Sequence, residues 1–244
     1  MLAVALAAAM VSSEALVTVL NTSNSVSSAR YAEALAVVER DAAEGRPLQQ
    51  FVLGVTTDDK EKSKRLLSAS RKTIEVLAEK RDNPLAWYLL SMENNDRKLL
   101  ERAAKGGNVQ ALNALGSILI QEAGEAQGAA TNEVPRLLRE GFECFRKASD
   151  QRDQSSDRRD PNALFNIGIC YMRGIGCHRN AMLAFECFRS AARGGHPEAM
   201  QCLAVCYDRG IGVDGNPDQA LFWKMKASAC RGDAAAAKWL EGRK

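Results

Sequence analysis

The chain has 244 residues, 46% of them hydrophobic and 26% charged, the balance of an ordered globular protein rather than a disordered one. Its 33 basic and 30 acidic side chains nearly cancel to a formal charge of +3, so no field strong enough to gather nucleic acid or an anionic membrane follows. Only 6 prolines and 18 glycines stand among many Ala, Leu, Glu, Arg and Lys residues, a composition that favours long helices.

Along the first twenty residues Glu14 is the only charge, and the first arginine is Arg30. The run could pass for a secretory signal, yet a signal usually carries a basic n-region and a transit peptide is rich in Arg. Ser12, Ser13 and Glu14 interrupt the apolar run and make it a poor membrane span. Residues 1–30 are expected to form an N-terminal helix or capping segment.

From there on the chain repeats itself. Residues 163–192 read ALFNIGICYMRGIGCHRNAMLAFECFRSAA and residues 199–228 read AMQCLAVCYDRGIGVDGNPDQALFWKMKAS, in register at a spacing of 36. Tyr171 meets Tyr207, Gly174 meets Gly210, Gly176 meets Gly212, and Ala191 meets Ala227. A shorter template, an Ala followed four residues later by Leu or Ile and then a small residue, recurs loosely with anchors at Gln49, Ala86, Ala111, Ala163, Ala199 and Ala236. The anchor, the aliphatic residue and the Tyr eight residues on fall on one helical face. Gly-Ile-Gly suits a helix end and a sharp reversal. A second helix with Phe185 and Phe188, or with Leu221 or Phe222 and Met225, then covers the first.

One such hairpin cannot bury its apolar face alone, so a stack of hairpins is expected, an all-α solenoid. Residues 31–107 read as degenerate repeats and 108–244 as regular ones, with an inserted loop at 122–135, a polar stretch at 151–160 and a C-terminal capping helix. Trp223 and Tyr207 are expected in the core of the last complete unit.

The pattern A-x-x-x-L-x-x-x-Y-x-x-G-x-G-V, continued by A-x-x-W-x-x-K-A, is carried by Ala199, Leu203, Tyr207, Gly210, Gly212, Val213, Ala220, Trp223, Lys226 and Ala227. It resembles the Sel-one-like repeat, a relative of the tetratricopeptide repeat with a unit of about 36 residues. The resemblance is strong from Pro161 to Leu240 and patchy upstream, where the unit anchored at Ala111 lacks both the Tyr and the Gly-x-Gly. It implies a right-handed α-α superhelix that serves as a protein-interaction scaffold or adaptor in a larger assembly.

Little in the chain points to catalysis. The two histidines, His178 and His196, fall in predicted turns and are expected to be exposed, and Cys177 with His178 offers two ligands where zinc generally needs three or four. Seven cysteines without a C-x-x-C pair read as free thiols in a reducing compartment, the cytoplasm or alternatively the mitochondrion. Cys144, Cys170, Cys187, Cys202 and Cys206 occupy related helical positions and read as small packing residues. No phosphate-binding glycine loop, H-E-x-x-H, G-x-S-x-G or S-x-x-K motif occurs, so no catalytic, metal or cofactor residue is expected.

The basic run Lys60, Lys62, Lys64, Arg65, Arg71 and Lys72 is diluted by Asp58, Asp59, Glu61 and Glu75 and reads as a solvated helix face. Its excess of charge motivates the alternative function, an RNA-associated scaffold in a ribonucleoprotein such as a mitochondrial one, which reaches nucleic acid only through the larger assembly.

The partners expected are proteins, presenting an apolar helix or an extended peptide, and no membrane. A helical wheel of the first helices places the positions two and six residues after each anchor away from the predicted core. They are Phe51 and Val55, Tyr88 and Met92, Asn113 and Ser117, Phe165 and Ile169, and Gln201 and Val205. Such a row either packs against the first helix of the adjoining repeat or lines a groove for a partner. The groove would use Tyr88, Met92, Asn113, Phe165, Ile169 and Gln201, with Arg173, Asp208 and Arg209 as its polar rim.

Overall fold

The computed structural model describes residues 19–20, 28–126, 132–151 and 159–242, and among them there is no β-strand. Twelve helices are described: α1 (Ser28–Ala43), α2 (Pro47–Thr56), α3 (Lys60–Arg81), α4 (Pro84–Asn94), α5 (Arg97–Lys105), α6 (Val109–Glu125), α7 (Glu133–Asp150), α8 (Pro161–Arg173), α9 (Ala181–Arg193), α10 (Pro197–Arg209), α11 (Pro217–Cys230) and α12 (Ala234–Glu241). The fold is an all-α array of helix–turn–helix units. It divides into two compact units between Ala111 and Leu112. Most of the N-terminal capping segment and of the 151–160 stretch lies outside the described residues.

Each anchor of the sequence template is the third residue of its helix: Gln49, Ala86, Ala111, Ala163, Ala199 and Ala236. The reason is a recurring cap. The residue three places earlier accepts the anchor's backbone N–H, at 3.1 Å for Asn83, 2.8 Å for Asn108, 2.8 Å for Asp160, 3.2 Å for His196 and 3.1 Å for Asp233. Proline at the first position of α2, α4, α8 and α10 loses no hydrogen bond there and presets the helical φ. Replacing Asp160 with Ala is expected to cost roughly 0.5–2 kcal/mol in urea denaturation, the usual worth of an N-cap.

In the first unit, α2 packs on α3 and α4 on α5. Helix α3 buries Leu66, Ser70, Ile74 and Ala78 and turns its basic run outward, with Lys60, Lys64, Arg65, Arg71 and Lys72 exposed. Glutamates neutralise part of that face: Arg71 pairs with Glu75 and Glu93, and Lys62 with Glu39.

In the second unit the hairpins α6/α7, α8/α9 and α10/α11 stack in order and α12 closes on α11. Within the hairpin, a small residue five places after the anchor admits the second helix. A Cβ on Gly168 would lie 2.6 Å from the Phe188 ring. Between hairpins, the tyrosine at the eighth place meets a phenylalanine edge-on: Tyr171 on Phe142 with centroids 5.5 Å apart, Tyr207 on Phe185 at 5.3 Å. Trp223 is buried as expected, whereas Tyr207 is only half-buried because it bridges two hairpins.

The inserted loop expected at 122–135 is smaller than the sequence suggests. Helix α6 runs on to Glu125 and α7 already begins at Glu133. The helices α8 and α10 stop at Gly174 and Gly210, eleven residues after their anchors, with φ of 73° and 66°. The equivalent residue of α6 is Glu122, which has a side chain that disfavours the left-handed region, so the helix continues.

Candidate protein-binding surface

The first helices of the second unit carry their outward residues in stripes. In α8 the stripe is Phe165, Ile169 and Arg173, and in α10 it is Gln201, Val205 and Arg209, four residues apart in each case. The structure treats the positions along a stripe differently.

In α6 and α8 the position two residues after the anchor is taken up by the next hairpin, whereas its equivalent in α10, Gln201, is exposed. Asn113 of α6 donates from Nδ2 to the Asp160 carboxylate at 3.0 Å, and Phe165 of α8 stacks on the His196 ring with centroids 4.4 Å apart. Both partners are the N-cap of the following first helix, so this contact sets the register of one repeat on the next. Asn113 and Phe165 are therefore engaged inside the array. In the first unit Tyr88 is buried, while Met92 is 37% exposed.

The remaining candidates are open. Val205 is 45% exposed, an apolar side chain facing solvent on a first helix, and Gln201, Arg173, Asp208 and Arg209 around it are exposed too. Ile169 is half-buried against the core cluster of α9 and α10. Glu198 and Cys202 lie between the stripes: the Cys202 thiol feels the charges of both Glu198 and Arg173.

His196 departs from expectation. It is 4% exposed, because the Phe165 ring and the start of α10 close over it. Its Nδ1 accepts the Ala199 N–H, which puts the ring proton of the neutral form on Nε2. The Glu198 Oε2 atom stands 3.3 Å from the same Nδ1 and has no other partner, while its Oε1 accepts from Arg231 at 3.4 Å. A protonated ring would turn Nδ1 from an acceptor of the cap bond into a donor to Glu198, undoing the cap. Burial dominates and pushes the imidazole pKa down to about 4.

The sign of the pH effect follows. A histidine that titrates lower in the folded chain than its unfolded value of about 6.5 contributes its full stability above that value and loses it as pH falls toward 4. The loss expected is about 3 kcal/mol. Urea denaturation of wild type and His196→Asn across this range checks it. The asparagine keeps a cap acceptor and does not titrate, so the variant should lack this part of the acid destabilisation.

Burial raises every thiol above its ordinary value and outweighs the nearby Lys147, Arg159, Arg173 and Lys226 charges. Burial pushes Cys170 up to about 12 and Cys187 and Cys206 up to about 11, so they stay protonated and inert at neutral pH. Among the described residues no group of three or more His, Cys, Asp or Glu side chains could hold a metal ion, and no helix is long and apolar enough to cross a membrane.

Stacked helical hairpins joined through matched caps and aromatic contacts define an α-helical repeat protein of the solenoid class. The Sel1 repeat model matches residues 109–153, 161–196 and 197–230, the three hairpins α6/α7, α8/α9 and α10/α11. The chain thus carries three Sel1 repeats, a repeat that generally mediates protein interactions. The hairpins α2/α3 and α4/α5 lie outside that match, although they share the anchor at the third helical residue.

Among solved structures, the chain is similar to a Sel1 repeat protein from Oxalobacter formigenes, at 25% identity and a TM-score of 0.44 over 55% of this chain and 90% of that one. It is also similar to a protective antigen present in uropathogenic Escherichia coli strains and displaying an SLR fold, at 20% identity and a TM-score of 0.37. That match covers 86% of this chain but only 55% of the antigen. No curated protein matches the chain.

Proposed function

We propose that this protein is a non-catalytic scaffold that holds a protein partner on the open face of α8 and α10. One observation carries the reading: Val205 keeps 45% of its surface exposed on a first helix, one turn after the exposed Gln201. A solvent-only face would be polar there, whereas an apolar centre with a polar rim of Gln201, Arg173, Asp208 and Arg209 suits a protein interface. The face on α8 and α10 is built on rigid helices whose spacing is locked by Phe165 on His196, so little ordering entropy is lost when a partner docks. The basic face of α3 adds no comparable case for RNA, since Arg71 and Lys62 are already held by glutamates.

A photoreactive amino acid placed at Val205, and in a second variant at Lys224 on the exposed side of α11, tests the reading in cells. Discrete adducts are expected from position 205 and not from 224. Equal yields from both positions, or none from either, would overturn it.

A further inference from the structure

The α8/α10 face has a titratable group built into its support. Phe165 lies one turn before Ile169 on α8, and the His196 ring on which it stacks caps α10, the helix that carries Val205. The polar atoms around that ring suit two protonation states. In the neutral state Nδ1 accepts the Ala199 N–H at 3.2 Å. The Glu198 Oε2 atom, buried and without a hydrogen bond, faces the same nitrogen at 3.3 Å. Two acceptors turned toward each other repel, and a proton between them converts the repulsion into a charged hydrogen bond. The equivalent caps are Asn83, Asn108, Asp160 and Asp233, so the imidazole is particular to this joint.

We infer that His196 is a proton-operated switch in the geometry of the α8/α10 face, and hence in its hold on a partner. The second half of that statement rests on the face being the binding surface. Nδ1 cannot carry a proton and accept from Ala199 at once. Protonated, it donates to Glu198, the Ala199 N–H loses its acceptor, and the cap that fixes the start of α10 against α8 is released. Glu198 is free to turn inward because its Oε1 is held by Arg231 only at 3.4 Å. Burial keeps the ring neutral until the pH falls toward about 4, so the face is intact at neutral pH and altered in acid.

The surroundings leave Glu198 as the group that receives the proton. Helix α10 contributes Glu198 itself, and the end of α11 contributes Arg231 behind it. Helix α9 contributes the Ala191 carbonyl, which accepts the His196 backbone N–H at 3.1 Å, and carries Arg193 exposed in its last turn. Helix α8 contributes the uncharged Phe165 ring; its cap Asp160 is occupied by the Ala163 N–H and Asn113, and Arg173 at its other end lies within range of Cys202.

The test is an NMR titration of the full chain, labelled at its Ile and Val methyl groups, from about pH 7 to about pH 4, with far-UV circular dichroism alongside. The Ile169 and Val205 methyl resonances are expected to shift with the midpoint of the His196 ring protons while helical content is retained. His196→Asn, which installs the cap found at positions 83 and 108, should leave both methyls unmoved, and His196→Ser serves if that variant melts early. Glu198→Gln removes the charge that receives the proton and should carry the midpoint to lower pH.

Methyls that stay still while the ring titrates, that move equally in His196→Asn, or that move only as helix is lost would each overturn the inference. So would a Glu198→Gln midpoint equal to or above that of wild type. If the methyls follow the ring but position 205 yields no specific adducts, the switch in geometry stands and the scaffold reading falls. If adducts form and the methyls stay still, the scaffold reading stands and the switch falls.

Discussion

Gly212→Ala is expected to lose about 3–5 kcal/mol of stability, enough to remove a large part of what a domain of this size possesses. Two penalties combine. Gly212 has a φ of 71°, a region where an added Cβ costs about 1–2 kcal/mol. That Cβ would also overlap the carbonyl oxygen of Ala181 and press on the backbone of Met182, at the start of α9. Backbone cannot rotate aside as a side chain can, so the loop must lift off the preceding hairpin. Gly176 makes the equivalent approach to Leu138, and Gly176→Ala should cost a similar amount. Gly195→Ala is the control: its φ is 94° but nothing lies within 4 Å of the added carbon, so only the backbone penalty of about 1–2 kcal/mol should appear. Equal losses at Gly195 and Gly212 in urea denaturation would show that the close approach between repeats contributes nothing.

The second large effect is expected at Trp223. The side chain is 8% exposed and belongs to the cluster of Phe185, Phe188, Met200 and Leu203. Phe222 meets it edge-on at 5.4 Å, and the Lys226 ammonium stands 5.0 Å from its ring. Trp223→Ala removes the largest side chain that α11 buries and leaves a cavity between the last hairpin and the rest, at roughly 3–5 kcal/mol. Trp223→Phe keeps most of the volume and should lose much less. An unchanged melting curve for the alanine variant would place Trp223 outside the core.

Much of the architecture could be read before any coordinates. The anchors fell on the third residue of their helices because N-capping side chains, proline at the first position and apolar residues four apart are local signals, and local signals survive in sequence. The Gly-x-Gly reversals were legible for the same reason, since only glycine sits easily at those angles. Even the longer α6 had a trace, Glu122 where its sister helices have glycine, but reading the excess residues as loop ignored that a helix without a stop continues.

What sequence left undecided is what lies between repeats. His196, between Gly195 and Pro197, carries every mark of an exposed turn, and what buries it includes Phe165 arriving from the previous hairpin. The outward row of the first helices was one pattern in sequence and proved to be two kinds of position. Asn113 and Phe165 are used up on the caps of the next repeat, whereas Val205, Arg173 and Arg209 stay open. Periodicity reports which side chains share a face of one helix; whether that face meets water, a neighbour or a partner depends on the distance and angle at which the next hairpin packs, and that is a property of the assembled array.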